Sequence, residues 1–116
     1  MRHRNKNKIL DRKKAPRELM LRNLASSILI YEKVKTTKAK AKAVRSLLER
    51  VITYAKKNDL ASKKRIMSIL PQKMAAKKLV EVIGGRYAGL KGGYSRIVKL
   101  GERQGDGAEI VRIELV

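Results

Sequence analysis

The chain is 116 residues long, enough for one domain with one core; it is 43% hydrophobic but only 3% aromatic, so Ala, Leu, Ile and Val must build the interior. Thirty Lys and Arg against ten Asp and Glu leave a formal charge of +20, which opposes compaction unless a polyanion neutralises it, nucleic acid first and an anionic membrane second. No run approaches the roughly 18 apolar residues of a membrane span, and the absence of cysteine excludes disulfides, thiolate metal sites and cysteine catalysis.

Residues 1–15, MRHRNKNKILDRKKA, form a basic N-terminal arm with little but Ile9 and Leu10 to bury. No apolar segment follows the basic start, so no secretory signal is expected, and a cytosolic protein is the simplest reading. Charge repulsion predicts that the arm is disordered alone and extended against phosphates. Residues 16–116 are expected to form a single α+β domain. Pro16 suits a first helical turn, and Met20, Leu24, Ile28 and Tyr31 recur at helical spacing, predicting a helix over 17–30 with Arg22 and Asn23 off its apolar side. A short strand, edge or central, is expected over 33–36.

The strongest pattern lies in 36–57. Val44, Leu47, Leu48, Val51, Ile52 and Ala55 make one apolar stripe on a helix. Lys38, Lys40, Lys42, Arg45, Arg50, Lys56 and Lys57 lie mostly off it, and Thr37 is placed to cap the start. Asn58-Asp59 then stops this helix and caps the next. Leu60, Ile66, Met67 and Leu70 predict a shorter helix with Lys63, Lys64 and Arg65 on its wet side. Ala75, Leu79, Val82 and Ile83 predict another, ended by Gly84 as a left-handed cap. Glycines then cluster from Gly84 to Gly93. Two alternating runs, 94–100 and 109–116, flank the loop 101–107 and predict a C-terminal β-hairpin. The expected order is helix, short strand, three helices, hairpin, with the helices packed on a small mixed sheet.

Candidate chemistry is sparse. His3 is the only histidine and sits among cations. The acidic residues have no spacing that suggests acid–base work or Mg²⁺ binding. Glu32, Glu49 and Glu81 are read as helix-surface partners of nearby cations. The loop GGRYAGLKGGYS lacks the G-K-[ST] ending of a phosphate loop and leads into a strand. Its Arg86 and Lys91, with Arg96 just beyond, are placed to meet phosphates. Tyr87 and Tyr94 either stack on unpaired bases or close the core; the residues alone leave both open. No catalytic, metal or cofactor site is expected, nor a small-molecule substrate or a membrane. Cations spread over arm, helices and loop point to distributed phosphate contacts. A DNA-compacting protein and a cationic membrane binder are the other classes that such charge allows.

Several stretches carry a resemblance across the whole chain. They are Met1-Arg2-His3-Arg4, Arg22-Asn23-Leu24, the run from Thr36 to Lys42, Arg86-Tyr87-Ala88, Gly92 to Ile97, and Ile113-Glu114-Leu115. In this order they resemble the bacterial large-subunit ribosomal protein seventeen family. The resemblance implies a small α+β protein of the cytoplasmic ribosome's large (50S) subunit, without enzymatic activity or cofactor. It implies binding to large-subunit (23S) ribosomal RNA on the solvent side near the peptide exit tunnel, beside large-subunit proteins twenty-two and thirty-two. Contacts to RNA are then expected from Arg2, His3, Arg4, Lys6, Lys8, Arg12, Lys13, Lys14, Arg17, Arg22 and Asn23. Lys35, Thr36, Thr37, Lys38, Lys40 and Lys42 extend the set, and Arg86, Tyr87, Lys91, Tyr94 and Arg96 complete it.

Overall fold

The computed structural model describes residues 13–116. The apolar stripe read from the sequence is what the fold is built around. Helix α2, Lys38–Lys57, buries Ala41, Val44, Leu48, Val51, Ile52 and Ala55. Leu47 at the stripe's edge is half-buried. Its ends are chemically marked. Thr37 Oγ1 accepts a bond from the Lys40 N–H at 3.4 Å, and Asn58 takes the left-handed conformation (φ 52°) that asparagine tolerates better than most residues. Asp59 then caps α3, Leu60–Ile69, accepting from the Ser62 N–H at 2.7 Å.

The other helices bury faces that differ from the expected ones. Helix α1, Lys14–Tyr31, starts before Arg17. Pro16 still lies in the first turn, where its missing N–H has no intrahelical partner to lose. The buried residues of α1 are Ala25, Ser26, Ile28 and Leu29, while Tyr31 is 71% exposed. Because α1 packs on both α2 and the fourth helix, its buried arc centres on Ala25 and Leu29. Ser26 is tolerated there because its hydroxyl donates to Arg22 O at 3.0 Å. In α3 the buried line is Ser62, Ile66 and, just past the helix, Leu70; Leu60 and Met67 face solvent. A helix this short holds apolar residues on two faces, and its packing on α2 selects one.

The fourth helix, α4, is Lys73–Lys78; it runs on through a π-helical turn, Leu79–Ile83, into the α-helical residues Gly84–Arg86. The wider turn keeps Ile83 under Leu79 on the buried side and swings Val82 outward, 47% exposed. Gly84 is not the left-handed cap expected of it. Its φ of −56° and ψ of −42° are ordinary right-handed helix. Glycine is needed there because α4 meets α2: a Cβ on Gly84 would stand 3.0 Å from the Ala55 carbonyl oxygen.

The C-terminal hairpin pairs β2, Ser95–Glu102, with β3, Glu109–Leu115. The early strand β1, Lys33–Thr37, joins the far side of β3, giving the order β1-β3-β2. The sheet is antiparallel throughout, not mixed. Strands β1 and β2 do run in the same direction, but β3 stands between them and each pairs only with it. Val34 and Ile97 oppose Ile113 from the two sides. Val111 and Ile113 point into the core under α2. On the opposite face Glu114 is only 8% exposed, because two arginines cover it. Arg96 Nε donates to its Oε1 at 2.6 Å, and Arg112 Nε lies 3.1 Å from Oε2.

Candidate nucleic-acid interface

Cations that face solvent along α2 meet cations from two other elements. A groove of about 400 Å³ lies between α1 and α2, lined by Lys14, Arg17, Glu18, Leu21, Arg22, Lys42, Ala43, Ser46, Leu47 and Arg50. A second, of about 670 Å³, lies between α2 and the glycine-rich loop, lined by Lys42, Arg45, Ser46, Glu49, Arg50, Thr53, Tyr54, Lys91, Gly92, Gly93 and Tyr94. Lys42, Ser46 and Arg50 belong to both. They stand at i, i+4 and i+8 on one edge of α2 and join the two grooves into a single cationic trough. Its carboxylates are Glu18 and Glu49 alone.

Glu49 has another task. Both its oxygens accept from the Tyr94 N–H at 3.1 Å, and Ser95 Oγ lies 3.4 Å from Oε1. It anchors the end of the glycine-rich loop and is not the local helix-surface partner expected of it. Lys56 holds the same loop from α2, donating to Tyr94 Oη at 2.8 Å and to Leu90 O. Of the two readings of the tyrosines, the structure has the core one. Tyr87 and Tyr94 are 3% and 1% exposed, their ring centroids 5.4 Å apart. Tyr87 Oη donates to Val116 O at 2.6 Å, tying the loop to the chain end. Neither ring is open to a base.

A third recess, of about 280 Å³, gathers Lys35, Thr36, Thr37, Lys40, Arg103 and Ile110 where β1 passes into α2 beside the hairpin loop. Of the three alternate lysines of α2, Lys40 serves a different surface from the other two, since two residues of helix turn a side chain by roughly 200°. Lys38, one turn before Lys42 on the same side, is separated from it only by its ion pair with the sheet. Lys42 lines the trough and Lys40 the recess. Lys38 Nζ sits 3.3 Å from Glu109 Oε2. Lys99 and Lys38 together hold the Glu109 carboxyl below its ordinary range. Arg103 bonds Asp106 inside the hairpin loop and lowers its pKa to about 2.

Two further expected contacts are engaged within the fold. Arg86 bonds Glu32, which also meets Lys78 at 3.2 Å. The Arg86 guanidinium, more than Lys78, lowers the Glu32 carboxyl. Glu32 thus draws the end of α1 to α4 instead of serving a neighbour on its own helix. Arg96 pairs with Glu114, whose carboxyl it holds below the usual range. Lys13 and Asn23 are exposed and line none of these three grooves; Glu81, also exposed, lines a separate, mainly apolar groove between α3 and α4 with Met67, Leu70, Lys77 and Val80. Arg2, His3, Arg4, Lys6, Lys8 and Arg12 lie outside the described residues. Arg45, Ser46, Arg50, Tyr54 and Arg103 are groove residues that sequence reasoning did not assign. The signal for three of them was the edge Lys42-x-x-x-Ser46-x-x-x-Arg50, with Arg45 beside it.

Among the described residues no three His, Cys, Asp or Glu side chains gather as a metal site would need, and no helix is long and apolar enough to cross a membrane.

Comparison with known proteins gives one answer. The family model described as ribosomal protein L17 matches residues 20–116. The large ribosomal subunit protein bL17 of Hydrogenobaculum sp. is 47% identical over 117 residues, covering 100% of this chain and 99% of the relative. That of Solibacter usitatus is 47% identical over 116 residues, covering 100% of this chain and 77% of the relative. That of Clostridium botulinum is 45% identical over 100 residues, 86% of this chain and 88% of the relative.

Proposed function

The chain belongs to the ribosomal protein L17 family, and from that membership we propose that it binds large-subunit (23S) ribosomal RNA through distributed phosphate contacts. As a member it is a structural constituent of the large ribosomal subunit and not an enzyme. The observation that carries the RNA reading is the trough. It brings Lys14, Arg17, Arg22, Lys42, Arg45, Arg50 and Lys91 from three separate elements to one surface. Like charges converge this way at a cost in self-repulsion, which an RNA backbone relieves. The recess around Lys35, Lys40 and Arg103 supplies a second contact area, and Arg2, Arg4, Lys6 and Lys8 of the arm a third. The trough has no element shaped to enter a duplex groove and read base edges; its cations are suited to positioning RNA.

We further propose that the protein sits on the solvent side of the large subunit of the cytoplasmic ribosome, near the peptide exit tunnel, beside proteins twenty-two and thirty-two; membership of the family supports the large-subunit part of this reading. Chemical cross-linking of intact large subunits tests those neighbours. RNA binding is tested by titrating a large-subunit RNA fragment at several salt concentrations. Log K is expected to fall against log salt by about 0.7–0.9 per phosphate contact. Replacing Arg2, Arg4, Lys6 and Lys8 together by Gln is expected to flatten the slope. Weak, salt-independent binding by the parent chain refutes the reading.

A further inference from the structure

We propose that the part of the trough between α2 and the glycine-rich loop holds an unpaired nucleotide, its base stacked on Tyr54 and its flanking phosphates on Arg45 and Arg50. The proposal rests on the RNA-binding reading and deepens it.

The chain has four tyrosines and no Phe or Trp. Tyr87 and Tyr94 are buried, and Tyr31 is exposed at the end of α1 but lines no groove. Tyr54 alone is both accessible and set in a groove wall among cations. Arg65 stands over its ring with the guanidinium carbon 5.5 Å from the centroid. A tyrosine ring partnered by an arginine is a platform on which bases stack, by π contact and by the cation's field. Bases of a duplex lie stacked on each other and offer no free face to a groove wall. Only an unpaired base fits this chemistry.

The surroundings agree. The groove's 670 Å³ lies within the range of sites that hold small organic ligands. Across from Tyr54, Gly92 and Gly93 have no atom within 4 Å of where a Cβ would be. That leaves room for a sugar–phosphate backbone close to the main chain. The one carboxylate in the wall, Glu49, is turned to the Tyr94 N–H and the Ser95 hydroxyl.

The test titrates the full chain with an unpaired oligouridylate, a duplex RNA of the same length and an abasic ribose–phosphate oligomer, beside a large-subunit RNA fragment. Tyr54→Leu is expected to weaken oligouridylate binding on the order of tenfold to a hundredfold and to leave the duplex and abasic affinities within about twofold. Tyr54→Phe is expected to bind as the parent does, because stacking needs the ring and not the hydroxyl. Arg50→Gln is expected to weaken all three. The Tyr54 ring proton resonances of the parent are expected to move upfield with oligouridylate and to stay in place with the abasic oligomer. Unchanged abasic affinity in Tyr54→Leu establishes that the groove is intact in that variant. If the parent binds the large-subunit fragment but Tyr54→Leu binds oligouridylate as the parent does, the stacking proposal falls and the RNA reading stands. A parent that binds no RNA overturns both.

Discussion

Glycine at position 84 and glycine at position 85 are neighbours in one helical turn, and replacing each by alanine is expected to change stability in opposite directions. Alanine in a helix is favoured over glycine by roughly 0.5–1 kcal/mol, largely through the entropy glycine loses on folding. At Gly85 an added Cβ meets nothing within 4 Å, so Gly85→Ala should realise that gain. At Gly84 the Cβ would lie 3.0 Å from Ala55 O, 3.2 Å from Ala55 C and 3.2 Å from Ala55 Cβ. Two of these are backbone atoms in the last turn of the core helix, and none can rotate away. Overpacking of this kind costs about 1–3 kcal/mol, more than the helix gain, so Gly84→Ala should be destabilising by up to about 2 kcal/mol. In a domain of this size each 1 kcal/mol moves the melting temperature by roughly 3–6 °C. Thermal and urea unfolding of the free protein, with both variants beside the parent, makes the comparison. If Gly84→Ala melts as high as Gly85→Ala, then α4 is free to lift off α2, and close approach is not what glycine serves at that position.

Two other expectations concern charge. Lys42→Gln should lower affinity for a large-subunit RNA fragment and reduce the salt slope by about one contact, 0.7–0.9, whereas Lys38→Gln should do little, because Lys38 is drawn to Glu109. Gln keeps a helix propensity close to that of Lys, so melting should hold in both, and equal losses of affinity would show that the ion pair does not set Lys38 apart from Lys42. Acid should destabilise the free protein. Glu32, Asp59, Glu109 and Glu114 are all more acidic folded than their ordinary values of 4.5 for Glu and 3.8 for Asp, and Asp106 is lowered to about 2. The stability they contribute is complete above those ordinary values and is lost as pH falls through the folded ones. Urea midpoints should be flat from about pH 6 to 8 and decline between about pH 4.5 and 2; a decline already complete at pH 5 contradicts the assignment.

What the sequence determined by itself was whatever is written over a few neighbouring residues. The stripe of α2, the Thr37 cap, the Asn58-Asp59 junction and the alternation of Val111 and Ile113 are local patterns. Each acts through geometry that the chain carries wherever it goes. The α+β class followed from their order, and the charge alone named a polyanion. Only the tertiary structure decided which face of α1 and α3 is buried, because Tyr31, Leu60 and Met67 are apolar enough to have been core and the direction of packing excluded them. It also decided that Gly84 serves a helix crossing, since the Ala55 carbonyl it meets is 29 residues away in the chain. The trough was beyond a linear reading for the same reason. Arg17, Arg50 and Lys91 converge only because α1, α2 and the glycine-rich loop are brought together by a core to which none of the three contributes. Tyr54 and Tyr94 show the limit most directly. They are chemically identical side chains, and their different exposure is set by which elements the fold lays across each ring.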